Sequence, residues 1–202
     1  MLRQAVESVL AQTIPVREII IVDDGSSEDI AAAMSDIKGP IQVIHHSKNK
    51  GHSASRNSGI AIAKGDLIAF LDSDDLWLPN KLEMQIPFFD DINVGLVGGG
   101  YEYIDTQGKV VLVANLPPED ASYEDLAIGL FGFQGSTPLA ICSKEALQMT
   151  GGFDESLPLL EDWDMWVRIS ENFMVKNPQK RLAQIRIHHE PRAHRPPGLE
   201  MV

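Results

Sequence analysis

Apolar residues recur along this chain with two periods, and the alternation between them predicts its elements. In LRQAVESVLAQT, Leu2, Ala5, Val6, Val9 and Leu10 share one helical face, and Pro15 stops that helix. Glu18 to Val22 (EIIIV) is a short β-branched run ending in Asp23, Asp24 and Gly25, which predicts a buried strand and its exit turn. Ser26 or Ser27 is placed to cap the next helix, which Gly39 and Pro40 close, and Gln42 to His45 is the following strand. A turn at Lys48 leads into a helix from about Ser53 to Ala63, with its C-cap at Lys64 and Gly65. Leu67 to Leu71 then forms a strand of the length and bulk to be buried on both faces, and Pro79 fits the first turn of a helix over Lys81 to Phe89. This rhythm indicates βαβ units and a mainly parallel sheet.

The pattern changes after the buried run Val94 to Val97. Tyr101 to Ile104 and Val110 to Val113 flank a turn and predict a hairpin, and Asn115 to Asp120, with two prolines, an exposed loop. Ser122 to Phe131 predicts an amphipathic helix, Leu139 to Cys142 a strand, and Ser143 the cap of a helix to Met149. A mixed acidic and aromatic helix starts near Glu161, Leu182 to Ile187 is a last strand, and the Pro-rich tail is irregular. The expected organisation is one α/β domain of two halves, 1–97 and 98–202.

Composition narrows the function classes. The 202 residues, 44% hydrophobic and 23% charged, are ordinary for a globular chain and sufficient for one well-cored domain. A net charge of −12 gives no attraction to nucleic acid. Cys142 is the only cysteine, so there is neither an intrachain disulfide nor a multi-cysteine metal site, and a reducing compartment such as the cytoplasm is expected. No apolar run approaches the roughly 20 residues of a membrane span.

Four clusters carry candidate chemistry. Asp72, Asp74 and Asp75 end a strand on the edge where open α/β sheets bind ligands, and such oxygen ligands suit Mg2+ or Mn2+ holding a diphosphate. As a bland alternative, they cap a helix. Asp23 and Asp24 end another strand, and two acidic strand ends on one sheet edge converge on one crevice. Asn49, Gly51, Arg56 and Asn57 read either as a turn with a solvated helix face or as a guanidinium bridging carboxylates or holding phosphate. Glu161, Asp162 and Asp164, interleaved with Trp163 and Trp166, either complement a helix dipole or place a desolvated general base. His188, His189 and His194 in the tail are read as exposed, not as ligands.

SVLAQT, IIIVDDGSSED, NKGHSASRNSGIAIAKGDLIAFLDSDD and GGFDESLPLLEDWDMWVRI together resemble, in order and spacing, the inverting family 2 glycosyltransferases of GT-A fold, over residues 2 to about 170. The resemblance implies a GT-A-like sheet flanked by helices, with a smaller mixed acceptor-side half. It implies a nucleotide-sugar donor, Mn2+ or Mg2+, and transfer with inversion to a saccharide or lipid-linked acceptor of the cell envelope. Peripheral association with the inner membrane face goes with such an acceptor. Carried over by position, Asp24 contacts the base of a UDP-sugar, with Asp23 beside it, and Arg56 and Asn57 lie near the donor. Asp72 faces the ribose or sugar and also the metal, Ser73 belongs to the donor site, and Asp74 is the metal ligand. Asp162 matches the catalytic base, with Glu161 next to it.

The chain departs from the family at its start, because Met1 opens on the helix that normally follows a first strand. In the family that strand separates those corresponding to Glu18 to Val22 and Leu67 to Leu71. The departure implies a fragment, closure of the gap by the two neighbours, or a strand from another chain, the fragment being favoured. A non-catalytic nucleotide-sugar-binding remnant is therefore the alternative to an active transferase. A third reading, an Asp-x-Asp phosphohydrolase, needs its nucleophilic Asp on the first strand, whereas FLDSDD ends the third.

Overall fold

The structure, a computed structural model, describes residues 1–127 and 137–187. In chain order it forms α1 (Leu2–Leu10), β1 (Ile19–Asp23), α2 (Ile30–Met34), β2 (Ile41–His45), α3 (His52–Ile62), β3 (Leu67–Ala69), β4 (Leu76–Trp77), α4 (Lys81–Gln85), β5 (Val94–Val97), β6 (Gly100–Ile104) and β7 (Val110–Val113). β8 (Asp120–Ala121), α5 (Tyr123–Ala127), β9 (Ile141–Ser143), α6 (Lys144–Thr150), α7 (Glu161–Ser170), β10 (Met174–Lys176) and β11 (Arg181–Arg186) follow. The rest of the helix expected up to Phe131, and the tail with His188, His189 and His194, lie outside the described residues.

The α/β class is the one expected, but strand directions are more mixed than the βαβ rhythm suggests. β1 and β2 pair in parallel as a separate two-stranded sheet. A five-stranded sheet has the order β3-β9-β5-β10-β8, in which only β5 and β10 are parallel. A four-stranded sheet has the order β4-β11-β6-β7, in which only β6 and β11 are parallel. Late strands enter between early ones: β9 pairs antiparallel with both β3 and β5. No local period reports such long-range insertion.

Several boundaries differ from the sequence expectation. The strand over Leu67 to Leu71 ends at Ala69, where the chain begins to turn into its acidic segment. Pro79 precedes α4 and is not in its first turn, because Asn80 is the N-cap and the helix starts at Lys81. The helix over Lys81 to Phe89 tightens to a 3-10 helix from Ile86, since Pro87 has no N–H for the α-helical ladder. Asp29, not Ser26 or Ser27, caps α2, its carboxylate accepting from Ala32 N–H. Ser143 caps α6 as expected.

Two cores sandwich the five-stranded sheet. Alternate residues go to opposite faces, so Ile68 and Cys142 join Trp166, Leu147 and Phe153, while Leu67, Ala69 and Ile141 pack with Trp77, Leu82 and Leu139. The Lys81 amine, fully buried on the second side, donates to Gln85 Oε1 at 2.6 Å and sits 4.5 Å from the Trp77 ring centre.

β1 and β3 do not close on each other. They remain edges of separate sheets, and a cavity of about 690 Å³ lies between them, walled by β1, β3 and the apolar face of α1. Ile19 N–H donates to Pro40 O and His46 N–H to Asp23 O, so alternation turns the backbone groups of Ile20 and Val22 away from β2. Lys144 N–H donates to Asp66 O and Phe70 N–H to Ala140 O, which likewise turns Leu67 and Ala69 away from β9. Backbone groups on both walls thus face an apolar slot. In hydrogen exchange, the Ile20, Val22, Leu67 and Ala69 amides should exchange at least about tenfold faster than those of Ile21, Ile68 and Phe70, which bond to neighbouring strands. Equal protection of the two sets would show that the slot is closed in solution.

Candidate functional site

The slot becomes polar at the carboxyl ends of β1 and β3, where Asp24, Asn49, Gly51, Arg56, Asp72 and Ser73 line it. Of the residues expected at the site, Asp24, Arg56, Asp72 and Ser73 meet in this one cavity. Asp23, Asn57, Asp74, Glu161 and Asp162 are not in its lining. Glu161 lines a second cavity of about 320 Å³, which shares Gly51 and His52 with the first at the start of α3.

The acidic end of β1 is held by its own surroundings. Asp23 accepts from the Ser26 hydroxyl at 2.5 Å and backbone N–H at 2.9 Å, and meets His45 Nδ1 at 2.7 Å on the adjacent end of β2. Those bonds, the Ser26 hydroxyl first, lower its carboxyl to about 2. Asp24 takes Lys50 N–H at 2.9 Å, Gly51 N–H at 2.8 Å and His46 Nδ1 at 2.7 Å. Burial is the largest single influence on Asp24 and opposes ionisation, yet His46 and the two backbone donors together hold its carboxyl below the usual range. Asp24 thereby fixes the Lys50–Gly51 turn in which Gly51, at φ +94°, starts α3.

Arg56 is the centre of the constellation. Its Nη1 donates to Glu161 Oε1 at 2.6 Å and its Nη2 to Asp72 Oδ1 at 3.2 Å, with the guanidinium 5.4 Å from the Phe153 ring centre. One side chain of α3 thus joins the acidic end of β3 to the first turn of α7. Asp162, next to Glu161, accepts Trp163 N–H at 2.8 Å. Burial pushes its carboxyl up to about 6, Glu161 and Asp72 adding to the rise while Trp163 N–H and Arg56 oppose it. This is the desolvated carboxylate that aromatic bulk beside an acid suggests.

Asn57 points elsewhere. Its Nδ2 donates to Phe153 O and Glu155 Oε1, both at 2.9 Å, and its Oδ1 accepts Phe153 N–H at 2.8 Å. Asp75 is 4% exposed and accepts Arg186 N–H at 2.8 Å, while Arg186 Nε donates to Asp74 O at 2.8 Å. Burial first, then Asp72 and Asp74, push Asp75 up to about 7. His46, Arg186 and Phe153 escaped the sequence reading. The level ends of β1 and β2, with Asp23 opposite His45, were the signal available for the histidines.

No group of three or more potential metal ligands converges among the described residues. Mg2+ and Mn2+ sites at diphosphates are commonly completed by one or two carboxylates, water and the phosphates themselves. Asp72 lines the cavity and Asp74 does not, and both charges bear on buried Asp75, like charge that a cation held there would offset.

The model of the family described as glycosyl transferase family 2 matches residues 1–137. An uncharacterised glycosyltransferase of Rickettsia bellii is 34% identical over 188 residues, covering 91% of this chain and 26% of that protein. The Escherichia coli UDP-Glc:alpha-D-GlcNAc-diphosphoundecaprenol beta-1,3-glucosyltransferase WfaP is 35% identical over 167 residues, covering 81% of this chain and 62% of its own length. The chain thus spans less than two thirds of these relatives. The S. aureus TarS 1-349 structure in complex with UDP-GlcNAc superimposes with a TM-score of 0.74 at 18% identity, over 94% of this chain and 56% of that one.

The raised acid at the start of α7 has a stability consequence. With its folded value near 6 and an ordinary value near 3.8, the stability Asp162 contributes is complete below pH 4 and is lost as pH rises through 6. Asp162→Asn keeps an oxygen for Trp163 N–H. It should therefore stabilise the chain by about 1–3 kcal/mol at pH 8 and by almost nothing at pH 4, as measured by urea unfolding. Arg56→Ala, which strands two carboxylates, should destabilise it by about 2–4 kcal/mol at pH 7.

Proposed function

From the premise that the chain belongs to glycosyl transferase family 2, we propose that it transfers a sugar from a UDP-sugar to a saccharide or lipid-linked acceptor, with inversion at the anomeric carbon. The observation that carries this reading is the bridge of Arg56 between Asp72 and Glu161. It joins the acidic end of β3 to the turn that carries a half-buried, weakly acidic Asp162. WfaP, by its name a UDP-Glc-dependent enzyme acting on a diphosphoundecaprenol-linked sugar, supports a UDP-sugar donor and a lipid-linked acceptor. TarS, with UDP and with UDP-GlcNAc, shows such ligands on the same fold. No helix among the described residues is long and apolar enough to cross a membrane.

In this reading the donor lies along the polar end of the large cavity. Asp24 and the turn it holds face the base, with Asp23 bracing the strand end behind it. Asp72 and Ser73 face the ribose or sugar, and Arg56 keeps Asp72 in place. Asp72 and Asp74 would hold Mn2+ or Mg2+, which when bound offsets negative charge growing on the departing diphosphate. Asp162 accepts the proton of the acceptor hydroxyl as that oxygen forms its bond to the anomeric carbon. The anomeric carbon's bond to the diphosphate oxygen breaks on the opposite face, and its electron pair leaves with UDP. Near pH 7 the Asp162 carboxylate is ionised yet basic enough to take the proton. Glu161, committed to Arg56, orients the turn.

A second reading, a nucleotide-sugar-binding remnant without turnover, is favoured by the open slot between β1 and β3. Calorimetry with UDP and Mn2+ beside a transfer assay separates the two. Binding with product formation supports transfer, whereas binding alone supports the remnant.

The rate should rise through about pH 6 as Asp162 ionises. Asp162→Asn should lose at least about a thousandfold in transfer while retaining UDP binding. Near-normal transfer by that variant would remove Asp162 from the mechanism. Stripping divalent ions with EDTA should stop transfer, and Mn2+ should restore it; activity that survives the chelator would exclude the cation.

A further inference from the structure

Asn57 sits one residue beyond Arg56 on α3, yet its amide is turned from the crevice to the segment that leads into α7. The amide makes a two-way pair with the Phe153 backbone, donating to its carbonyl at 2.9 Å and accepting its N–H at 2.8 Å. The same Nδ2 reaches Glu155. Gly152 next to it has φ +83°, and a Cβ there would stand 2.7 Å from Asn57 Oδ1, so only glycine permits both the backbone and the approach. From the other side, Arg168 Nη1 of α7 donates to Thr150 O at 2.8 Å and Gly152 O at 3.0 Å, while Asp164 holds its Nη2.

At its far end the segment enters α7 through Leu160. This is the only non-glycine residue with positive φ among those described, at +63°, and it has no side-chain capping bond. It is also 62% exposed, so burial of its side chain does not account for the conformation. A left-handed leucine is strained by about 1–2 kcal/mol and persists only where the flanking structure dictates it. Flanking it are the Asn57 pair with Phe153 before Leu160 and the Arg56–Glu161 ion pair just after it.

We propose that Asn57 is a positioning residue: by pinning Phe153 to α3 it fixes the path of residues 153–160, and so holds Glu161 and Asp162 opposite the acidic end of β3. Arg56 and Asn57 then divide one task between neighbouring positions of α3, the first gripping the start of α7 by charge and the second gripping its approach by backbone hydrogen bonds. The consequence for transfer rests on the function proposed above; the mechanical role of Asn57 does not.

The test uses the whole chain with Asn57→Ala, and Asn57→Ser as the milder change should the alanine variant fold poorly. With Mn2+ present, calorimetry should give a UDP Kd within about twofold of the parent and an unchanged stoichiometry. Turnover per UDP-binding molecule should fall about ten- to a hundredfold, because a base displaced by about 1 Å loses that much. A rate loss that merely follows a loss of UDP stoichiometry would make Asn57 a folding residue and overturn the proposal. Hydrogen exchange over residues 153–163 requires no turnover, and it should accelerate at least about tenfold while exchange in β6 stays as it was. Unchanged exchange there overturns the proposal on its own. If the parent chain forms no product, the transfer reading fails, and the exchange result still decides whether Asn57 holds the segment.

Discussion

The site depends on one cation compensating two carboxylates in a crevice that shields it from water. Arg56 is 16 residues from Asp72 and 105 from Glu161, and the three side chains meet only because α3 runs between the end of β3 and the start of α7. Arg56 and Glu161 are largely buried, with side-chain exposures of 13% and 15%, so neither charge is well solvated without the other. The planar guanidinium suits this place because it serves two acceptors at a fixed angle while resting on Phe153. A lysine ammonium would offer charge without the fork.

That bridge has an electrostatic counterpart in Asp162. A carboxyl group acts as a base near neutrality only if its charged form is somewhat disfavoured, and burial supplies this. Arg56 works against the rise, and Glu161 absorbs much of the guanidinium's charge. The spacing of these groups therefore sets how readily Asp162 gives up its proton. In the proposed mechanism stability and chemistry pull in opposite directions here, since an unfavourable charge would be retained for its reactivity.

The separated β1–β2 pair gives the molecule an asymmetric character. The five-stranded sheet is covered on both faces and carries the acidic end of β3 on a rigid base. The wall that carries Asp24 is joined to it mainly through α1 and α3 across an apolar slot. The two walls of the candidate donor crevice thus rest on different sheets, and whatever fills or spans the slot also sets the distance between them. His46, Lys50 N–H and Gly51 N–H on Asp24 make the β1 wall internally firm even where its outer edge is unpaired.

Much of this was legible in the chain because it is local. Helical periodicity located α1, α3 and α7; β-branched runs located β1, β2 and β5; Ser143 marked the start of α6. The acids at strand ends and the late Glu161–Asp162 pair were visible as residue types at telling positions, as was Arg56. What each side chain does with its hydrogen bonds was not. Asn57 looked like a neighbour of Arg56 with the same task, but a helix turns 100° per residue, and that rotation sends its amide to Phe153. Arg186 looked like one more residue of a last strand, yet it bonds Asp75 and the Asp74 carbonyl from 111 and 112 residues away. Sequence alone located most helices and the longer strands, though not the short β4, β8 and β10, together with the acidic strand ends and the family likeness, because these rest on short-range periods and residue chemistry. Tertiary structure decided the strand directions, the open slot, the raised acid on α7 and the different partners of Arg56 and Asn57. These depend on which distant groups share a place, and no local pattern encodes that.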